Sequence, residues 1–315
     1  MSLFHKKNKI FYFILTILFL LLLKNAQAAN LYLNSTSNTV SLNNTFTLEV
    51  RLNLDQEKSI NTVDVYLNYP ADLLNAVDIS YGNSILDIIP EQPTIDNQAG
   101  TIHFGGGITN GYTGKIPGDP GLSNLLTKII FKTIKVPTIP GPIQIVLSPK
   151  STVFLNDGLG TSTQLSLNNF ALNITAPSNN PNNEWQLNLS QDKIPPEDFL
   201  ITLSRDPLIY NNKYFITFNT TDKQTGIDYY QVKEGSSGWT KAISPYLLKD
   251  QNLGSAILVK AVDKAGNERI VQYVAPKIKA TSHTFIIVIV LVILVLILIV
   301  ICFLIRSLKA SKILK

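Results

Sequence analysis

Residues 45–54 read Thr-Phe-Thr-Leu-Glu-Val-Arg-Leu-Asn-Leu, with Phe46, Leu48, Val50, Leu52 and Leu54 alternating against Thr45, Thr47, Glu49, Arg51 and Asn53. A period of two puts one set of side chains on each face of an extended strand, so this segment is a strand with one buried face. Val63, Val65, Leu67 and Tyr69 alternate in the same way with Thr62, Asp64, Tyr66 and Asn68. Outward from these two, Leu31–Leu33, Val40–Leu42, Ile85–Ile89, Thr101–Phe104, Leu125–Val136, Ile143–Leu147 and Gln164–Ile174 are further strand candidates. In the last of them the apolar parity switches at Asn168-Asn169, which predicts a β-bulge. About nine short strands punctuated by Gly, Pro, Asn and Asp predict an all-β sandwich over residues 29–177. The glycine-rich stretch 105–124 reads as a long loop between strands. It carries no Gly-Lys-Ser/Thr and stands in no βα unit, so it is not a phosphate loop.

Residues 178–191, rich in Asn and Pro, read as a linker. Residues 192–276 read as a second, smaller sandwich, with candidate strands Phe199–Ser204, Tyr214–Asn219, Asp228–Glu234, Ser255–Asp263 and Glu268–Val274. Ala265-Gly266-Asn267 supplies residues that tolerate positive φ in a turn between the last two.

The ends are different in kind. Lys6, Lys7 and Lys9 precede an apolar stretch, Ile10 to Leu23, and then Ala26-Gln27-Ala28, the pattern of a cleaved secretory signal peptide over residues 1–28. Phe285 to Ile305 holds no charged residue, and at the helical rise it extends for about 31 Å, one hydrocarbon core. Arg306, Lys309, Lys312 and Lys315 follow in the tail, residues 306–315. This pattern predicts one transmembrane helix, N-terminal domains outside a cell membrane and a short basic cytoplasmic tail.

The formal net charge of +5 does not describe the middle of the chain. With the four lysines of residues 1–28 and the four basic residues of the tail set aside, residues 29–284 carry 19 basic against 22 acidic side chains. That mildly acidic body offers no phosphate-binding surface, so nucleic acid is excluded as a partner. The single cysteine, Cys302, lies in the apolar run, so residues 29–284 hold no disulfide and rely on their cores alone.

Several motifs resemble those of cohesin domains. Asn61-Thr-Val-Asp-Val-Tyr-Leu-Asn-Tyr-Pro-Ala-Asp-Leu-Leu74 is similar to the third strand and following turn of that family, with Leu67, Tyr69 and Leu74 matching and Pro70-Ala71 departing from its Asp-Pro. Gly100-Thr-Ile-His-Phe-Gly-Gly106 and Leu125-Leu-Thr-Lys-Ile-Ile-Phe-Lys132 resemble two further cohesin strands. The resemblance covers about 145 residues in order. It implies a nine-stranded jelly-roll sandwich, related in fold to carbohydrate-binding modules, that captures a dockerin through the polar side of its third strand. Carried across by position, that face is Thr62, Asp64, Tyr66 and Asn68, with Asp64 as the hydrogen-bonding carboxylate. In the second domain, Asp222 to Tyr230 and Ile257 to Asn267 resemble bacterial surface immunoglobulin-like repeats, which implies an immunoglobulin-like sandwich.

No catalytic constellation stands out. There is no Gly-x-Ser-x-Gly and no His-Glu-x-x-His, and any histidine-dependent triad would rest on His103, which reads as a strand-packing residue. Asp222, Asp228 and Asp263 lack the spacing of a calcium loop and read as turn formers. The expectation is a non-catalytic surface binding protein without cofactor or metal, its partner a dockerin-like protein. Polysaccharide binding is the alternative, although exposed aromatic platforms are few. A structural stalk or adhesin is the third reading.

Overall fold

The computed structural model describes residues 29–54, 58–114, 123–179 and 181–273, together with Ile293, Leu294 and Ile297. Among them are 19 strands and one short helix. The expected signal peptide, the tail and most of the run Phe285 to Ile305 lie outside the described residues. Ile293, Leu294 and Ile297 are helical and about half exposed. No helix among the described residues is long and apolar enough to cross a membrane. The transmembrane helix in the expected fold class, and the single-pass cell-membrane location that rested on it, are corrected accordingly.

The first sandwich comprises β1 (Ala29–Asn34), β2 (Thr39–Ser41), β3 (Thr45–Leu54), β4 (Ile60–Asn68), β5 (Leu74–Ser80), β6 (Thr94–Asp96), β7 (Thr101–Tyr112), β8 (Leu125–Thr133), β9 (Ile143–Leu147), β10 (Thr152–Leu155), β11 (Leu165–Asn168) and β12 (Phe170–Thr175). One sheet runs β11-β1-β3-β8-β5. The other runs β2-β12-β9-β4-β7-β6, with β10 also paired to β4. Their inner faces meet in one core that includes Leu48, Val50 and Phe131 from the first sheet and Val63, Val65 and Phe104 from the second.

The alternation of β3 and β4 is read out directly, because each has a fully packed inner face: Leu48, Val50 and Leu52 and, opposite them, Val65 and Leu67 are all fully buried. Three sequence expectations change. The parity switch at Asn168-Asn169 is a change of sheet, not a bulge. β11 pairs with β1 and β12 with β9, and Asn169 accepts a hydrogen bond from the Leu147 amide at 3.0 Å at the crossing. The glycine-rich stretch is strand as far as Tyr112, since β7 continues through Gly105, Gly106 and Gly107. Ile85–Ile89 forms no strand beyond a bridge from Ile88 to Gly107.

Helix α1 (Glu184–Gln191) occupies the segment read as a linker. Asn183 caps it by accepting a hydrogen bond from the Gln186 amide at 3.0 Å. The remaining strands are β13 (Thr202–Asp206), β14 (Ile209–Thr217), β15 (Ile227–Glu234), β16 (Thr240–Ala242), β17 (Tyr246–Leu247), β18 (Ile257–Asp263) and β19 (Glu268–Gln272). They form a three-stranded sheet, β13-β14-β17, and a four-stranded sheet, β16-β15-β18-β19, around a second core that includes Ile216, Phe218, Val232 and Val259.

Candidate functional site

The two outer faces of the first sandwich differ. On the five-stranded sheet the outward residues of β3 are covered by the chain itself. The Thr45 amide donates to the Asn182 carbonyl at 3.2 Å, its hydroxyl to Asn183 Oδ1 at 3.1 Å, and the Asn182 amide to Asn44 Oδ1 at 3.1 Å. These bonds strap α1 along β3, and Trp185 is buried there. Arg51 on the same face pairs with Glu49 at 2.8 Å and donates to Asn124 Oδ1 at 2.7 Å. Lys128 lies beside them, and burial pushes its ammonium below the ordinary lysine range, partly offset by the Glu49 carboxylate.

The second sandwich abuts the same side. Ser80 donates to the Thr225 carbonyl at 2.6 Å, Lys264 pairs with Asp78 at 2.7 Å, and Asn219 donates to the Asp87 carbonyl. Gly82 lies so close to Gln224 that an added Cβ would sit 2.2 Å from its carbonyl oxygen.

The outer face of the seven-stranded sheet is open around β4. Thr62, Asp64, Tyr66 and Asn68 alternate outward there, opposite Gly107, Gly105, His103 and Thr101 of β7. On the other side of β4, Thr152 lies opposite Asp64 and Phe154 opposite Thr62. Between β9 and β10 the pairing strand is interrupted, and Tyr66 sits at the gap. Its carbonyl accepts from the Ser148 amide at 2.8 Å, and its amide donates to the Ser151 hydroxyl at 3.0 Å. The backbone of Tyr66 is thereby satisfied without a continuous neighbouring strand.

The register converts these positions into a cluster. The Tyr66 ring stacks on His103 with centroids 4.2 Å apart and planes at 15°. His103 Nε2 lies 2.6 Å from Asp64 Oδ1. Both side chains stay about a third exposed, at 33% and 38%. Among the described residues Asp64 Oδ2 takes no hydrogen bond, which leaves one carboxylate oxygen available to an incoming donor.

Beside the cluster Gly105 leaves the sheet without a side chain, and a depression of about 460 Å³ opens there, bounded by Thr62, Asp64, Ile88, Glu91 and His103, while the Ile88 side chain lies against Gly107. Glycine in a strand permits another backbone to approach closely. His103, read as a packing residue, is thus part of the face, and its partner became visible only through the β4–β7 register. Thr62 and Asn68 flank the cluster, both exposed. An Asp–His pair is also two thirds of a catalytic triad, but among the described residues His103 hydrogen-bonds only to Asp64 and no nucleophile is joined to it.

A second convergence lies in the other sandwich. Carboxylate oxygens of Asp192, Asp222 and Asp263, all three buried, come within 4.8 Å of one another. These are the residues that could hold a divalent cation. Asp228, considered with them in the sequence, stands apart and is exposed, and Asp192 was concealed in the segment next to the expected linker.

The three carboxylates already take local donors. Asp222 accepts from the Gln224, Thr225 and Gly226 amides, Asp192 from the Thr225 hydroxyl at 2.6 Å, and Asp263 from Asn267. Burial raises the Asp222 pKa above the ordinary aspartate range, against those backbone bonds and helped by Asp192. Three oxygen ligands fall short of the six to eight that a calcium ion takes. The bonds of Asp222 and Asp263 lie within local turns, whereas the Asp192–Thr225 bond joins segments 33 residues apart.

No protein-family model and no curated protein sequence matches the chain. Solved structures do. One is a cohesin module of a family 33 glycoside hydrolase from Clostridium perfringens, at 13% identity, covering 48% of this chain and 99% of that one, with a TM-score of 0.38. Another is the sixth cohesin of scaffoldin B from Acetivibrio cellulolyticus, solved with a dockerin, at 15% identity, 47% and 99% coverage and a TM-score of 0.37. A third is a cohesin from Clostridium thermocellum in a type I cohesin–dockerin complex, at 13% identity, 47% and 99% coverage and a TM-score of 0.35. At these identities and scores the likeness bears on neither partner nor activity. Over about half its length the chain is similar to cohesin modules.

Proposed function

We propose that this protein is a non-catalytic binding module whose open β4–β7 face docks a protein partner of the dockerin type. The observation that carries the reading is the Asp64–His103 pair, 2.6 Å apart and one third exposed, set beside a glycine floor. His103 and the stacked Tyr66 hold the carboxylate in place, so little side-chain freedom is lost when a partner's donor reaches Oδ2. Gly105 lets that partner's backbone approach the sheet. Thr62 and Asn68 extend the contact as hydrogen-bonding groups at either end.

The dockerin class comes from the sequence resemblance of residues 61–74, 100–106 and 125–132 to cohesins. Polysaccharide binding gains no support from the tryptophans: Trp185 is buried against β3, and Trp239 lies in the other sandwich with Lys260 Nζ 4.8 Å above its ring.

The test is capture of a dockerin module, one with a duplicated calcium loop, by the full chain in an equilibrium titration. Asp64→Lys is expected to weaken capture by roughly 2–4 kcal/mol, as removal of a central contact does, while costing no more than about 1 kcal/mol of stability. Unchanged capture by Asp64→Lys, or no capture by the native chain, would sink the reading.

A further inference from the structure

A cavity of about 220 Å³ lies where the two sandwiches meet. Domain contacts are favoured places for small-molecule sites, and this one is below the roughly 300–1,000 Å³ that drug-sized ligands occupy, so its occupant is small. Much of the lining is apolar: Ile79, Leu86, Ile89 and Ile95 come from the first sandwich and Ile227 from the second. Tyr81 belongs to the same lining, and its hydroxyl oxygen is buried without a hydrogen-bond partner. A buried phenol left unpaired carries a desolvation cost that a bound polar group offsets.

The charges of the lining do not balance. Asp78, Asp87, Asp222 and Asp228 belong to it, against one cation, Lys264. Lys264 is held by Asp78 at 2.7 Å. Asp87 accepts from the Thr109 amide at 2.8 Å, which leaves its negative charge in place. Asp228 is exposed, and among the described residues it has neither hydrogen bond nor ion pair. Asp222 is buried, which raises its pKa. Even with Asp222 counted as neutral, three carboxylates stand against one ammonium. The lining therefore calls for a ligand with positive charge, N–H donors for carboxylate and phenol oxygens, and a hydrocarbon body for the isoleucines.

We propose that the cavity between the sandwiches binds a small primary ammonium ion with an apolar body. Its ammonium group is held by the unpaired Asp228 carboxylate, and its hydrocarbon part rests against Ile79, Ile89 and Ile227. The site is independent of the β4–β7 face, which stands on the first sandwich alone.

The test is calorimetric titration of the full chain with phenethylammonium, and with phenethyl alcohol as the uncharged probe of the same shape. The cation is expected to bind with a dissociation constant on the order of a millimolar, as suits a ligand of so few atoms. The alcohol is expected to bind at least about tenfold more weakly. Asp228→Asn should weaken the cation roughly tenfold, the loss of one charge-assisted hydrogen bond, and leave the alcohol unchanged. Because Asp228 is exposed and unbonded, this variant should melt as the native chain does. Tyr81→Phe should also weaken the cation, while Asp64→Asn should not. Absence of saturable binding by the cation, or equal binding by the alcohol, would overturn the proposal. So would binding that survives Asp228→Asn undiminished. Binding lost in Asp64→Asn but kept in Asp228→Asn would move the cation to the β4–β7 face and likewise overturn it.

Discussion

The two outer faces of the first sandwich begin from the same kind of sequence and end differently. β3 sends out Thr45, Thr47, Glu49 and Arg51, and β4 sends out Thr62, Asp64, Tyr66 and Asn68. Period-two alternation assigns both sets to solvent. The β3 set is roofed by α1 and Trp185, and the far edge of the same sheet meets the turn Asp222–Gly226 of the second sandwich. The β4 set remains open, with an exposed Asp64–His103 pair. The difference teaches that polarity marks a face as able to meet water, while the rest of the chain decides whether it does. Groups on the roofed face are bonded within the protein, whereas among the described residues Asp64 Oδ2 takes no hydrogen bond.

The contrast breaks most easily at the roof. Trp185→Ala is expected to cost about 3–5 kcal/mol, the range for truncating a buried tryptophan, measured by denaturant unfolding. A loss under about 1 kcal/mol would mean that the β3 face is not held by α1. Gly82→Ala drives a Cβ to 2.2 Å from a backbone oxygen across the sandwich contact. A cost of about 1–3 kcal/mol is expected, and where the native chain melts in one calorimetric transition the variant is expected to melt in two as the second sandwich uncouples. An unsplit transition with unchanged midpoint would argue against the contact.

Tyr81 sharpens the same boundary. Its hydroxyl is buried without a hydrogen-bond partner, and burial drives its pKa far above the ordinary tyrosine value. Tyr81→Phe removes an unsatisfied group and is expected to stabilise by about 1 kcal/mol. It should also reduce the loss of stability at alkaline pH. A phenol with a raised folded-state pKa binds its proton more tightly folded than unfolded, so stability falls as pH rises above about 10.

Asp222 obeys the same sign at the acidic end. Its folded-state pKa is raised, so its own contribution declines as pH climbs from the unfolded aspartate value through the folded one. Asp222→Asn keeps an oxygen acceptor for the three amides and removes the buried charge. It should leave stability at neutral pH within about 1 kcal/mol of the native chain or raise it, and flatten the pH profile above the ordinary aspartate pKa of about 4. Thermal melts across that range would decide, and a large loss would mean that the charge itself is needed.

The smallest effect belongs to the open face. Asp64→Ala removes one partly exposed carboxylate–imidazole contact, and its cost in stability should not exceed about 1 kcal/mol. A larger cost would place Asp64 among the structural groups and dissolve the contrast between the faces.

Legibility followed local regularity. β3 and β4 were plain because each keeps its parity through a fully buried inner row. β5 escaped notice because its register shifts between Ala76 and Asp78, which splits the apolar set Leu74, Ala76 and Ile79 into two parities. β10 is four residues long, too short for a period to declare itself. β7 was read as a loop from Gly105 onward because glycine carries no side-chain pattern, although its backbone pairs as any strand does. Asp64 was singled out through resemblance, but its partner His103 stands 39 residues away in sequence. Only the pairing of Tyr66 with His103 and of Asp64 with Gly105 brings the ring to the carboxylate.

The sequence by itself determined the β character of residues 29–177 and 192–273, the outward identity of Thr62, Asp64, Tyr66 and Asn68, and the mild acidity of residues 29–284. Each follows from covalent order: side chains alternate along an extended chain, and charge is counted residue by residue. Tertiary structure decided that the Asn-rich segment before Asp192 folds back as a capped helix, that the parity switch at Asn169 is a change of layer, and that one polar face is roofed while the other stays open. These depend on hydrogen bonds and packing between segments more than a hundred residues apart, such as Thr45 with Asn183 and Ser80 with Thr225. No local period encodes contacts of that range.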